Sequence, residues 1–267
     1  MSVSKPVKGG GMGAIRRFLE KMRKRSSERG YSCDGCGREV FDYPNARLCK
    51  DCESAQVRPI RTCSVCGRQT VADGVCLSCK KELPKFDRGL SPFVYHGKSA
   101  LLINVMKNGK PRLAHYFGEA MADCFASEET VESVLIVPVP ITEAKLRERG
   151  YNQAERLAEV VCERLKTLGF DAELIADVLV KTRETQAQKT MSFYERKENV
   201  VGAFFVHKRK ACRDRTVVLV DDIMTTGATG SACALRLKKA GARRVVFLTA
   251  TALEERKGVR NVQTNWT

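Results

Sequence analysis

The chain has no apolar run near the roughly 18 residues that a membrane-crossing helix needs, which sets aside a membrane-spanning class. Its first 30 residues are basic but hold no apolar stretch of about 7 or more, so they do not read as a secretory leader, and the expected location is the cytoplasm. No G-x-x-x-x-G-K-[ST] and no G-x-G-x-x-G occurs, which removes the P-loop and the dinucleotide fingerprint. Aromatic residues are scarce, at 7% of 267. A base-stacking platform for single-stranded nucleic acid interleaves aromatics with cations, and Phe41, Tyr43, Phe93 and Tyr95 are the nearest candidates.

Negative charge is also short, leaving a formal net charge of +16. Residues 1–30 hold nine basic and two acidic side chains, and residues 31–90 hold ten and eight. Eight thiolates on two zinc ions would lower the total to about +12. A basic surface suits a polyanion, a phosphate ester or nucleic acid, and equally a merely solvated surface. With 43% hydrophobic residues there is enough apolar material for one larger domain and a smaller one.

Cysteine is plentiful, and its twelve copies divide cleanly. Cys124, Cys162, Cys212 and Cys233 are scattered through segments patterned like helix or strand, where thiols serve as small apolar groups. The other eight form four C-x2-C pairs: Cys33 with Cys36, Cys49 with Cys52, Cys63 with Cys66, and Cys76 with Cys79. "CDGCGR" and "CSVCGR" repeat one knuckle, so residues 31–86 read as an internal duplication. Four thiolates around one tetrahedral zinc per half is the expectation. Such closed sites leave no position for a catalytic water, so both ions are read as structural. Spacing leaves open a cross-braced arrangement in which the first and third pairs share an ion. Disulfides are disfavoured in a reducing compartment.

From about residue 87 the pattern changes to strand and helix in alternation. Residues 131–141 read as a buried strand ending in prolines. Residues 151–170 place Ala154, Leu157, Ala158, Val161 and Leu165 at helical spacing, with Gly169 as a stop. "TVVLVDDI" at 216–223 is a continuous aliphatic run of the sort found in a parallel strand covered on both faces, a helix follows to Gly241, and residues 243–253 form the next strand. The expected fold class is α/β, a parallel sheet flanked by helices, with ligands outside the carboxyl ends of its strands.

One such end carries Asp221 and Asp222, followed by Thr225, Thr226, Gly227, Ala228 and Thr229. Neighbouring carboxylates suit the two vicinal hydroxyls of a ribose. A turn of small residues opening a helix offers free N–H groups and a helix dipole to a phosphate. Together they describe a site for a ribose 5-phosphate. An Asp-Asp pair that caps the turn or holds a cation is the competing reading.

"VVLVDDIMTTGAT" resembles the phosphoribosyl-pyrophosphate (PRPP) signature of type I phosphoribosyltransferases. The order of "YHGKSALLINVMKNGKPRLAHYFGEAMA", "VPVPITEAKLRERGYNQAERLAE", "TRETQAQKTMSFYERKENVVGAF" and that signature, behind the cysteine knuckles, resembles the competence protein F family (ComFC-like). The resemblance spans roughly residues 31 to 253. Two positions depart from it: Lys181 stands where arginine is expected, and Ala187 precedes Gln188 where threonine is frequent.

The resemblance implies a double zinc ribbon at 31–86 and a type I phosphoribosyltransferase-like domain at 87–255, between a basic tail at 1–30 and a C-terminal tail at 256–267. It implies PRPP as ligand, with Asp221 and Asp222 on the ribose hydroxyls and residues 225–229 on the 5-phosphate. If the chain is a transferase, Mg²⁺ accompanies PRPP, and Arg149, Lys107 and Arg183 are the candidates for steadying the departing pyrophosphate. Arg147 and Arg196 are further candidates, the latter across the expected flap from Arg183. Tyr151 to Gln153 could instead simply start a helix, and no general base stands out.

A second class of function stays open beside this one. In it the chain is a non-catalytic accessory protein that binds single-stranded DNA in natural transformation, with competence-machinery proteins as partners. The zinc ribbons, the basic start ("IRRFLEKMRKR") and Lys98, Lys107, Lys110 and Arg112 would carry that role.

Overall fold

The computed structural model describes residues 32–41, 46–182 and 202–255. The expected basic tail, the C-terminal tail and the flap residues Arg183, Ala187, Gln188 and Arg196 lie outside them. The chain divides into two compact units after Glu53.

In the first unit, the Cys33 amide donates to the Arg38 carbonyl at 2.6 Å, and the Gly37 amide to Cys33 at 2.9 Å, while Ser32 and Glu39 form an isolated antiparallel bridge. Helix α1 (Lys50–Ser54) follows and buries Cys52. The second unit opens with a copy of this knuckle. Cys63 donates to Arg68 at 2.8 Å, Gly67 to Cys63 at 2.9 Å, and Thr62 bridges Gln69. Gly37 and Gly67 take φ of 81° and 70°, so the turn that aims each knuckle needs a residue without Cβ. The duplication read from the sequence is thus a duplication of hydrogen bonds.

After helix α2 (Leu77–Lys81) come β1 (Arg88–Leu90), β2 (Phe93–Val94), α3 (Gly97–Lys107), α4 (Leu113–Glu128), β3 (Ser133–Pro138), α5 (Glu143–Arg149), α6 (Gln153–Thr167), β4 (Asp171–Leu174), β5 (Leu179–Lys181), β6 (Phe204–Val206), α7 (Arg209–Cys212), β7 (Thr216–Met224), α8 (Ala228–Lys239) and β8 (Arg244–Ala252). The main sheet runs β1-β8-β7-β3-β4, with β2 also on β8, and every pairing in it is parallel. β1 and β2 hold one register against β8, Arg88 opposite Val246 and Phe93 opposite Thr251. They are one edge strand interrupted at Pro92, which has no N–H to give the ladder.

β7 and β8 are buried at nearly every position because layers pack on both faces, which is why they read as unbroken aliphatic runs. Helix α6 buries Ala154, Leu157, Ala158, Val161 and Leu165 against β3, β4 and β7, as their spacing predicts. Helix α8 packs on β6, β7 and β8. This is the parallel α/β sheet flanked by helices that the resemblance to type I phosphoribosyltransferases implies. The antiparallel pair β5–β6, Lys181 opposite Phe204, was not legible as strands in the sequence.

The break between units falls between the two cysteine clusters, where the sequence reading put one boundary near residue 86, after both. The second knuckle lies on the sheet edge, with the Gly89 amide donating to the Val65 carbonyl at 2.8 Å. A Cβ at Gly67 would stand 2.3 Å from the Gly89 oxygen, and one at Gly89 would stand 2.4 Å from the Cys66 oxygen. Two glycines let backbone meet backbone there, so the second ribbon packs as part of the larger unit.

Candidate functional site

The ladder between β3 and β7 ends where Pro138 pairs with Val220, and β7 continues alone on that side through Asp221 and Asp222. The acid pair therefore leaves the sheet where one neighbouring strand has stopped, the position at which open α/β sheets take ligands. Asp221 stays in register with Thr249 of β8, and Thr251 Oγ1 donates to the Asp222 carbonyl at 3.3 Å. The Asp222 amide donates to Asp221 Oδ1 at 2.9 Å. Asp222 is only 8% exposed, and its Oδ2 lies 3.0 Å from Lys107 Nζ, at the last residue of α3.

Among the described residues no lysine or arginine lies within ion-pair distance of Asp221. Burial, and then the Asp222 charge, push its carboxyl up to about 7, against the opposing pull of the Asp222 amide, Lys107 and Lys181. The repulsion expected of adjacent acids is thus met by one lysine on one acid and by a proton held late on the other.

Beyond Met224 the chain turns into α8. Gly227 is its N-cap at φ 79°, and the Thr226 hydroxyl accepts from the Ala228 amide at 3.3 Å. The other first-turn amides have no helical carbonyl to bond, and they point to the same end as the helix dipole's positive pole. Gly230 brings the helix close to the sheet, because a Cβ there would meet the Phe247 ring at 2.6 Å. A cavity of ≈ 170 Å³ is lined by Lys107, Asp221, Asp222, Thr225, Gly227 and Thr229 among others. It joins two carboxylates, a lysine and a helix start, a set that fits a hydroxylated, phosphorylated ligand.

The eight knuckle cysteines gather as two clusters, Cys33 with Cys36, Cys49 and Cys52, and Cys63 with Cys66, Cys76 and Cys79, and within each cluster the ligand atoms lie within 4.8 Å of one another. First-with-second and third-with-fourth pairing is what the structure has, not a cross-brace. The Sγ separations of 3.6 Å for Cys36–Cys49 and 3.7 Å for Cys66–Cys76 are far beyond a disulfide. They match the edge of about 3.8 Å of a tetrahedron with Zn–S arms of about 2.3 Å.

Backbone amides favour the thiolate form. Cys33 Sγ accepts from Cys49 at 3.2 Å, and Cys63 Sγ accepts from Cys76 at 3.3 Å. Burial alone would raise the Cys33 thiol, but the amides of Cys36, Cys49 and Gly35 outweigh it and bring it down to about 7. Each cluster can hold one zinc ion.

Comparison with known proteins completes the description. The phosphoribosyl transferase domain family matches residues 148–267. Competence protein F of Haemophilus influenzae is 26% identical over 222 residues, 80% of this chain and 94% of that protein. Competence protein ComFC of Bacillus subtilis is 24% identical over 70% of this chain and 75% of its own length. The DNA utilization protein YhgH of Escherichia coli O157:H7 is 26% identical over 74% and 87%. The chain is similar to competence F proteins over most of its length. Its phosphoribosyl transferase domain takes in the acid pair, the turn and α8, while Lys107 comes from outside the matched segment.

The remaining expected residues fall less uniformly. Thr226 accepts from the first amide of α8 and does not line the acid-pair cavity. Arg149 sits exposed at the end of α5 and donates to Gln153 Oε1 at 3.2 Å, and Arg147 pairs with Glu143 one turn away. Neither arginine lines the cavity. Asn152 caps α6 by accepting from Ala154 at 3.1 Å and also donates to the Val139 carbonyl at 3.1 Å, so starting a helix is part of what "YNQ" does.

Tyr151 does something the sequence did not disclose. Its hydroxyl donates to the Met106 carbonyl and so ties down the end of α3 that carries Lys107. The signal was a tyrosine directly before a cap, which has no meaning until α3 is placed beside it. Among the described residues no helix is long and apolar enough to cross a membrane.

Proposed function

We propose that the acid pair and the turn into α8 bind PRPP or another ribose 5-phosphate, in the cytoplasm, and that the protein transfers the phosphoribosyl group from PRPP with Mg²⁺. The observation that carries this reading is the single cavity shared by Asp221, Asp222, Lys107 and the α8 start. Asp221 and Asp222 accept hydrogen bonds from the two ribose hydroxyls. The amides and hydroxyls of residues 225–229 take the 5-phosphate, and Thr226 holds the turn in shape.

Transfer breaks the bond from C1 to pyrophosphate and places positive charge on the ribose ring, which the neighbouring carboxylates stabilise. Lys107 is aimed by Tyr151 at the acid pair and supplies positive charge beside the departing group. Arg149 and Arg183 are assigned the same duty on the strength of the family pattern. Bound together with PRPP, Mg²⁺ supplies charge neutralisation on the pyrophosphate. The test is ribose 5-phosphate binding to the zinc-loaded protein and to the Asp221→Asn/Asp222→Asn variant. Loss of at least tenfold in affinity is expected, and equal binding contradicts the assignment.

A second reading is favoured by the relatives' names and by the charge of +16. In it the chain takes part in DNA uptake by binding single-stranded DNA through its basic surface and ribbons, beside competence-machinery proteins. Affinity for an oligonucleotide then falls steeply with salt and weakens when residues 1–30 are removed. A flat salt response rejects it.

A further inference from the structure

A second cavity, of ≈ 210 Å³, lies behind the turn that begins α8, between that helix and the second ribbon. It shares Met224, Gly227 and Ala228 with the acid-pair cavity, so the two spaces adjoin one short stretch of backbone. Its character is different. The acid-pair cavity is lined by carboxylates, hydroxyls and glycines. This one is walled by Leu83, Phe86, Phe204, Met224 and Leu235. Leu83 and Leu235 remain 61% and 39% exposed, which makes the mouth apolar as well.

The charged groups around it decide what fits. Arg68, Lys85 and Arg236 line the cavity against one acid, Glu82. Arg68 faces the Cys66 sulfur, so its charge answers the zinc-binding thiolates. Lys85 and Arg236 have no acidic partner among the described residues. Glu82 is the one acid in that lining, so its charged residues are cationic on balance. An apolar, ring-sized space whose charged lining holds more cations than acids is complementary to a flat aromatic molecule bearing a negative charge.

We propose that this cavity is a second ligand site, for a small aromatic monoanion such as a carboxylate or sulfonate, set against the back of the phosphate turn and distinct from the ribose-phosphate site. Nothing in this assignment depends on what the acid pair binds. Pairing an apolar wall with Lys85 and Arg236 also sets its selectivity, because a neutral aromatic leaves the cations unanswered and a polyanion cannot fill the apolar wall.

The test is a fluorescence titration of the zinc-loaded full chain with 8-anilinonaphthalene-1-sulfonate, an aromatic monoanion that brightens when it leaves water. One saturable site per chain is expected. Lys85→Ala/Arg236→Ala, which removes two solvent-reaching charges and leaves the Lys85 amide bond to Ser231 intact, lowers affinity at least tenfold. Ala232→Trp fills the space and abolishes binding, with an unchanged circular dichroism spectrum showing that the fold survives. The neutral N-phenyl-1-naphthylamine binds the parent protein at least tenfold more weakly than the sulfonate. Unsaturable binding overturns the proposal, and so does equal affinity in the two variants, which would put the dye elsewhere.

Discussion

At the scale of single residues, the informative feature is the unequal treatment of two adjacent acids. Lys107 holds Asp222 at 3.0 Å, whereas Asp221 keeps its proton to about pH 7. An unfolded aspartate titrates near 4, so the folded state binds this proton more tightly over the window from about 4 to 7. Stability is therefore fullest below that window and declines as pH rises through it. Asp221→Asn removes the liability and is expected to stabilise the ligand-free protein at pH 8 by on the order of 4 kcal/mol, measured by urea unfolding. No gain at pH 8 would show that the carboxylate is not strained there.

The same proton enters binding. A ribose hydroxyl needs the carboxylate as acceptor, so ribose 5-phosphate binding strengthens from pH 6 to pH 8 and releases a proton, which calorimetry in buffers of different ionisation heat reads directly. Lys107 lowers the Asp221 value, so Lys107→Ala moves the midpoint of that pH profile upward. An unmoved midpoint would separate Lys107 from the acid pair.

At the scale of elements, the two ribbons have one hydrogen-bond pattern and different surroundings. Cys63, Cys66, Cys76 and Cys79 are all buried and belong to the apolar core that also holds Phe86, Met224 and Ala228. Phe86 in turn stands 3.6 Å from where a Gly227 Cβ would be. Loss of zinc from this second cluster therefore removes a wall of the larger unit, whereas Cys36 of the first cluster is exposed. Cys63→Ser/Cys66→Ser is expected to destabilise the phosphoribosyltransferase-like unit by on the order of 3 kcal/mol or more, and Cys33→Ser/Cys36→Ser to leave its thermal midpoint where it was. Equal effects would mean that the ribbons are equivalent.

Gly89→Ala tests the same junction without touching a ligand. Its Cβ would meet the Cys66 carbonyl at 2.4 Å, so a clear fall in thermal midpoint is expected, and an unchanged midpoint would deny the close approach.

At the scale of the whole molecule, what the sequence disclosed and what it withheld follow a physical rule. β7, β8 and α6 were legible because their burial is set by their own periodicity. The acid pair and the turn were legible because a strand end, two carboxylates and a run of small residues are contiguous in the chain. The cysteine knuckles carried their chemistry in spacing alone. What could not be read depends on separate segments meeting: Lys107 on Asp222, Tyr151 on the end of α3, and Gly67 against Gly89. The last of these lays the second ribbon on the sheet edge, and no local pattern tells a free ribbon from one laid on a sheet.

The arginines of the 147–149 segment show the converse. The family pattern names them, but in this structure Arg147 pairs with Glu143 and Arg149 with Gln153, outside the cavity that the acid pair lines.

The central claim is that this cavity takes PRPP, and isothermal calorimetry tests it most directly, with PRPP titrated into the zinc-loaded chain at pH 8, with and without Mg²⁺. The account predicts one site per chain with micromolar affinity, tighter with Mg²⁺. Absence of any binding heat under both conditions, in a protein that retains its zinc and its thermal midpoint, would contradict it.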